Sequence, residues 1–290
     1  RQRQMCIRDR DRTVKECSMI KRSIRLLRNL QHPSGLFLAS GCERTGYTKA
    51  WIRDNVYIAI GLEAAGETHD AVRVIQALLD ILLKHEYKID YAINEKPRYA
   101  YQYIHARYDP STCNEFYEEW GNKQNDAIGA LLFKVGDLEL KRLKVIRNEH
   151  DRRIIRKLVR YLESIQYWRD PDNGMWEERE ELHASSIGAC LAGLKMIKKA
   201  GIAKVPQYLI YAGRRALNNI LPYETPGKKI DLALLSLIYP YNIVTKKQRE
   251  QILRLVEGNL VRERGVIRYP GDQYYNENGE AEWTFGFPWL

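Results

Sequence analysis

The chain has 290 residues, 44% hydrophobic and 29% charged, with a formal net charge of +10. That balance is too apolar for a disordered chain and long enough to bury one large core, and no apolar run approaches the ~20 residues of a bilayer-spanning helix. Five scattered cysteines without a CxxC spacing exclude a disulfide framework and a structural zinc site, so no metal or cofactor is expected and a reducing cytoplasm is the simplest home.

The opening string RQRQMCIRDR is charged, aperiodic and without an initiator Met. It resembles translated adapter read-through, so residues 1–10 are set apart from a fold expected over 11–290. From Thr13 to Leu30, apolar residues at three- and four-residue steps give one helical face, which HPSG (His32 to Gly35) ends. A second helix runs from Asp54 to Gly66, and a third from Thr68 to Lys84 with Thr68 as its cap. His85 to Trp120 is rich in Tyr and poor in helical period, and long irregular loops are uncommon unless functional. Helices resume over Gly121 to Val135, Arg147 to Tyr167, Leu182 to Lys199, Val205 to Ile220, Ile230 to Ile238 and Thr245 to Leu260, and a tenth starts near Leu290. Basic residues from Lys141 to Arg160 alternate with apolar ones, which reads as a solvated helix face rather than a specific nucleic-acid surface.

This order of helix, short turn, helix and long aromatic loop predicts an all-α protein of helix pairs stacked in a ring, with the long loops gathered at one end. All six Trp residues lie in or beside those loops or at the chain end. Aromatic faces beside Asp, Glu, Arg and Gln suit a sugar, whose apolar faces stack on rings while its hydroxyls take charged partners. The loop DPDNGMWEE (Asp170 to Glu178) sets Glu177 and Glu178 directly after Trp176. A carboxyl pressed against an aromatic wall loses hydration and holds its proton more readily, as a general acid must. Solvated loop glutamates are the plainer alternative, and a helix-start salt bridge is the plainer reading of Arg53 and Asp54. His183 and Ser185-Ser186 read as helix-start residues, since no aspartate at defined spacing completes a nucleophilic triad.

The loops themselves resemble a known family. AWIRDNVY (Ala50 to Tyr57), IHARYDPSTCNEFYEEWGNKQNDAIG (Ile104 to Gly129), ELHASSIGA (Glu181 to Ala189) and RYPGDQYYN (Arg268 to Asn276) are similar, in the same order, to motifs of glycoside hydrolase family 15. The similarity is greatest to the related N-terminal domain of phosphorylase kinase α and β regulatory subunits. The resemblance implies an (α/α)6 barrel and an inverting, exo-acting hydrolase of α-glucosidic bonds acting on an α-glucan or oligosaccharide, with trehalose hydrolysis or a non-catalytic glucan-binding role as alternatives. Residue by residue, it implies Glu177 as general acid and Glu178 as a sugar-binding carboxylate. Arg53 and Asp54 would grip the terminal glucose, Trp120 would be a sugar platform, and Trp176, Gln124 and Asp126 would lie beside the acid. Arg268 and Asp272 would contact sugar, with Gly271 standing where glucoamylases have Glu and Lys123 near where they have Arg. The family's catalytic base is expected beyond Leu290, in a barrel incomplete at its C-terminal end; Glu277, Glu280 and Glu282 read as sugar-contacting or solvated residues.

Overall fold

The computed structural model describes residues 18–276 and 279–290, so the N-terminal extension, the start of the first helix and Glu277 lie outside the described residues. The first helix, α1, covers 18–29. There follow α2 (Ile52–Ala64), α3 (Thr68–Lys84), α4 (Glu86–Asn94), α5 (Asn125–Leu140), α6 (Glu149–Ile165), α7 (Ala184–Lys199), α8 (Gln207–Ile220), a 3-10 segment (Leu232–Leu237), α9 (Lys246–Leu260) and a single turn, α10 (Gly286–Trp289). Two short strands, β1 (Ala50–Trp51) and β2 (Arg107–Tyr108), pair antiparallel with Trp51 opposite Arg107.

Two layers follow from the burial pattern. Helices α5 and α7 are buried nearly all round, the mark of an inner position, whereas α6 and α8 bury one stripe and α6 carries its charges outward. Helix α2 packs on α3 and α5, α5 on α7, and α7 on α8 and the 232–237 segment, while α3 and α4 share α6 as an outer neighbour. The inner pair meets backbone to backbone. A Cβ added at Gly129 of α5 would lie 2.3 Å from the Cys190 nitrogen on α7, so no side chain fits there.

The sequence pattern differs from the structure at several points. Helix α4 lies inside the segment expected to be irregular. It buries only Ile89 and Ala92, while Tyr87 and Tyr91 point outward, so no apolar stripe announced it. The cap of α3 is Glu67, with Thr68 already helical and no side-chain capping bond. Helix α5 begins at Asn125 rather than Gly121, leaving Trp120 to Gln124 in the loop. The stretch expected as a helix from Ile230 is 3-10.

The basic face of α6 is partly neutralised within the fold. Arg153 and Lys157 bridge to Glu86 of α4 at 2.9 and 2.8 Å, and Arg147 pairs with Asp151. No helix among the described residues is long and apolar enough to cross a membrane.

Candidate active site

Residues that precede α2, α5, α7 and the 232–237 segment, among them Trp51, Gly121, Glu181 and Lys228, line one cleft of about 1480 Å³ together with Arg53 and Asp54 of α2. Free N–H groups at helix starts attract carboxylates, and acids from neighbouring loops take those places. Asp172 accepts the Asn125 N–H of α5 at 2.8 Å, Glu224 accepts the Ser185 N–H of α7 at 3.2 Å, and Asp231 accepts the Ala233 N–H at 2.8 Å. Asp172 and Glu224 thereby fasten their loops to α5 and α7, while Asp231 caps its own segment.

At the cleft wall, two segments, 51–53 and 120–124, converge on Glu177. Its Oε1 accepts from Trp51 Nε1 at 2.5 Å, from Gln124 Nε2 at 2.9 Å and from Arg53 Nη2 at 3.5 Å. Its Oε2 accepts from the Trp120 indole N–H. Glu177 adopts φ +63°, a left-handed conformation unusual for a non-glycine residue. Its backbone lies so close to Gly121 that a Cβ there would sit 2.6 Å from the Glu177 carbonyl oxygen. The indole expected against the acid, Trp176, instead turns its N–H to Asp231 at 2.7 Å. Trp51 and Trp120 take that place from other loops.

Arg53 pairs with Asp126 at 3.1 Å, both nearly buried, and donates to Gln124 Oε1 at 2.6 Å. Burial alone would lower the Arg53 pKa, but the charges of Asp126, Glu177 and Asp54 carry it above its ordinary value. Gln124 and Asp126 do not line the cleft; they stand behind Arg53 and Glu177 and hold them. Lys123 is likewise buried, between Asp170 at 3.2 Å and Glu180 at 3.3 Å. Asp54 does line the cleft, and no described residue donates a hydrogen bond to its carboxylate. Burial, opposed by Arg53 and assisted by Glu177 and Asp126, raises its pKa to about 6. Its partner is not Arg53, so the helix-start salt bridge is not formed.

Opposite these residues, Glu178 receives Lys228 at 2.7 Å and the Tyr269 hydroxyl. Arg268 grips Asp272 through two bonds of 2.6 Å, beneath the ring of Tyr274. Burial is the largest single influence on Asp272 and raises its pKa, but the bonds and charge of Arg268, the Tyr274 N–H and the charge of Lys228 together carry it below its ordinary value. Trp120, Trp176, Tyr274 and Trp283 supply aromatic faces to the cleft. Trp51, Lys228, Tyr269 and Asp231 are the site residues that motif reading missed. Trp51 sat in view within WIRD, and the lysine and aspartate had no signal beyond the apolar run that follows them.

His183 contacts Glu224 at 3.2 Å, and Ser185 Oγ donates to Glu224 rather than to the imidazole, so no nucleophilic triad forms. Burial opposes charge on His183, but the hydrogen bond and charge of Glu224 and the charge of Asp172 raise its pKa from 6.5 to about 9. Burial also raises Asp172, to about 7. Both groups bind protons more tightly folded than unfolded, so their stabilisation is full at low pH and is lost as pH rises through about 7 and then about 9. The denaturant midpoint is expected to fall between pH 6.5 and 9, and His183→Gln to flatten that fall. An equal slope in the variant would remove His183 as its cause.

The sequence model of glycosyl hydrolases family 15 matches residues 15–285. The probable phosphorylase b kinase regulatory subunit alpha of Caenorhabditis elegans is 27% identical over 285 residues, covering 84% of this chain and 23% of that protein. The chain thus spans less than a quarter of that curated relative. Among solved structures, a glycosidase in complex with glucose superposes with a TM-score of 0.78 at 20% identity over 92% of this chain and 75% of that one. The glucoamylase from Saccharomycopsis fibuligera superposes at 0.63 and 15% identity, over 91% and 68%. These likenesses place the fold among the (α/α)6 barrels of glucoamylases.

Proposed function

From the premise that the chain belongs to glycosyl hydrolases family 15, we propose that it is an exo-acting, inverting hydrolase of α-glucosidic bonds, with Glu177 as the general acid. The observation that carries this reading is the convergence of Trp51, Trp120, Gln124 and Arg53 on one cleft carboxyl. Four donors from two segments fix where its proton can be delivered. In the proposed reaction Glu177 protonates the glycosidic oxygen as its bond to the anomeric carbon breaks, and the indole N–H groups stabilise the carboxylate left behind. A water activated by a second carboxylate attacks the opposite face. That base is assigned to none of the cleft carboxylates named here: Glu178 and Asp272 are engaged by cations, and Asp54 is placed to accept sugar hydroxyls.

The test is glucose release from maltotriose, and separately from trehalose, by the full-length protein, with NMR following the anomer formed first. Inverted glucose supports the proposal. Maltotriose binding without release from either substrate, or from other α-glucosides, supports the second reading, a glucan-binding regulatory domain, which the similarity to the kinase regulatory subunit favours.

Asp54→Asn is expected to weaken sugar binding about 10- to 100-fold, the cost of removing a charged acceptor, with little change in folding stability. Because Asp54 ionises near pH 6, affinity in the unaltered protein should also drop as pH falls below that value. Calorimetric titration of both proteins at pH 5 and 7.5 checks this, and equal affinities would take Asp54 out of the sugar site.

A further inference from the structure

The arginine opposite Trp51 in the short β-ladder is enclosed in an unusual way. Arg107 is 1% exposed, and its guanidinium carbon lies 4.5 Å from the Trp120 ring, 5.8 Å from the Trp51 ring and 5.6 Å from that of Phe116. Among the described residues its one counter-ion contact is Glu118 at 3.2 Å, a side chain more than half exposed that also binds Lys49 at 2.5 Å. Arg107 Nε and Nη2 have no hydrogen-bond partner among the described residues. A buried cation left this poorly bonded is costly, and burying it among apolar atoms alone would have been served by Met or Leu. What surrounds it instead is the pair of indoles whose N–H groups hold the two oxygens of Glu177.

We infer that Arg107 is a positioning residue for the acid: its planar cation, lying against Trp120 and Trp51, keeps both indole N–H groups turned onto Glu177 and adds positive potential there. A cation over an indole face is attracted by the ring quadrupole and draws density from it, so the ring is held and its N–H donates more strongly. The same charge stabilises the carboxylate that remains once Glu177 has given up its proton. The inference rests on Glu177 being the acid.

The charged and titratable groups facing Glu177 are Arg53 and Asp54 from α2 and Arg107 from β2, with Asp126 behind Arg53. Those facing Arg107 are Glu118, Glu177 and Tyr47, with His105 two residues away and Lys49 sharing Glu118. The test is a pH titration of tryptophan fluorescence on the full-length protein, with Glu177→Gln identifying the transition that belongs to Glu177. Arg107→Met is expected to move that midpoint up by about one unit, as loss of a neighbouring cation does. Arg107→Lys should restore most of the midpoint but not the alignment, so kcat is expected to stay about tenfold low, at unchanged KM, in both variants.

Should Arg107→Met not fold, Glu118→Gln, an exposed change that leaves Arg107 less compensated, is expected to move the midpoint down. A midpoint unmoved in every folded variant overturns the inference. A protein that releases no glucose while the midpoint shifts as expected refutes the hydrolase reading and leaves the positioning of Glu177 standing. Glucose release with an unmoved midpoint does the reverse.

Discussion

Glu177→Gln is expected to lower cleavage of α-glucosidic bonds by about 10² to 10⁴, the usual contribution of a general acid. The amide has nearly the shape of the carboxyl but no proton that a departing oxygen can take. A glucoside whose leaving group needs no protonation, such as glucosyl fluoride, should lose far less, and comparing the two substrates separates loss of the acid from general damage. The bonding of Glu177 also gives the substitution a cost in stability. Both its oxygens accept N–H groups, so the new NH2 must face either the Trp120 indole or the cluster of Trp51, Gln124 and Arg53. A donor set against a donor costs about 1 to 3 kcal/mol, and the amide should settle toward Trp120, where it opposes one donor rather than three. Equal loss on both substrates would remove Glu177 from the role of acid.

The second large effect lies one layer behind. Arg53→Ala strips the partner from Asp126, whose side chain is 3% exposed, and a buried charge left unpaired costs about 3 to 5 kcal/mol. That is a large share of the stability of most domains. It also releases Gln124, whose carbonyl oxygen accepts from the same guanidinium. The denaturant midpoint measures the loss, and restoring neutrality with Arg53→Met combined with Asp126→Leu should recover much of the fold while leaving sugar binding impaired. A single substitution costing less than about 1 kcal/mol, the scale of an exposed pair, would show that water reaches Asp126 and that the pair is not structural.

What could be read from sequence follows the reach of each signal. Helices with a continuous apolar stripe, such as α3 and α9, were legible almost to the residue, because periodicity is local. Helix α4 was hidden because two buried residues make no stripe. The acid was legible through its motif, but its surroundings were not. Trp51 and Glu177 are 126 positions apart, and nothing in either string says that they touch. Motif spacing likewise placed Gln124 and Asp126 beside the acid without revealing that they face away from the cleft, since only the start of α5 at Asn125 decides which way they turn. The resemblance to a known family supplied the barrel, and the layering of α5 and α7 through Gly129 could not have been guessed from a single glycine in an apolar run.

The left-handed backbone at Glu177 carries one more implication. A side chain there costs about 1 to 2 kcal/mol that glycine would not, and the bonds from Trp51, Trp120, Gln124 and Arg53 offset that strain, so Glu177→Ala, which keeps the strain and discards the bonds, is expected to lower the melting temperature. Local backbone strain and the bonding of the acid are thus held together at a single position. A position whose backbone is strained and whose side chain satisfies several donors tolerates few replacements, whether or not the acid is used.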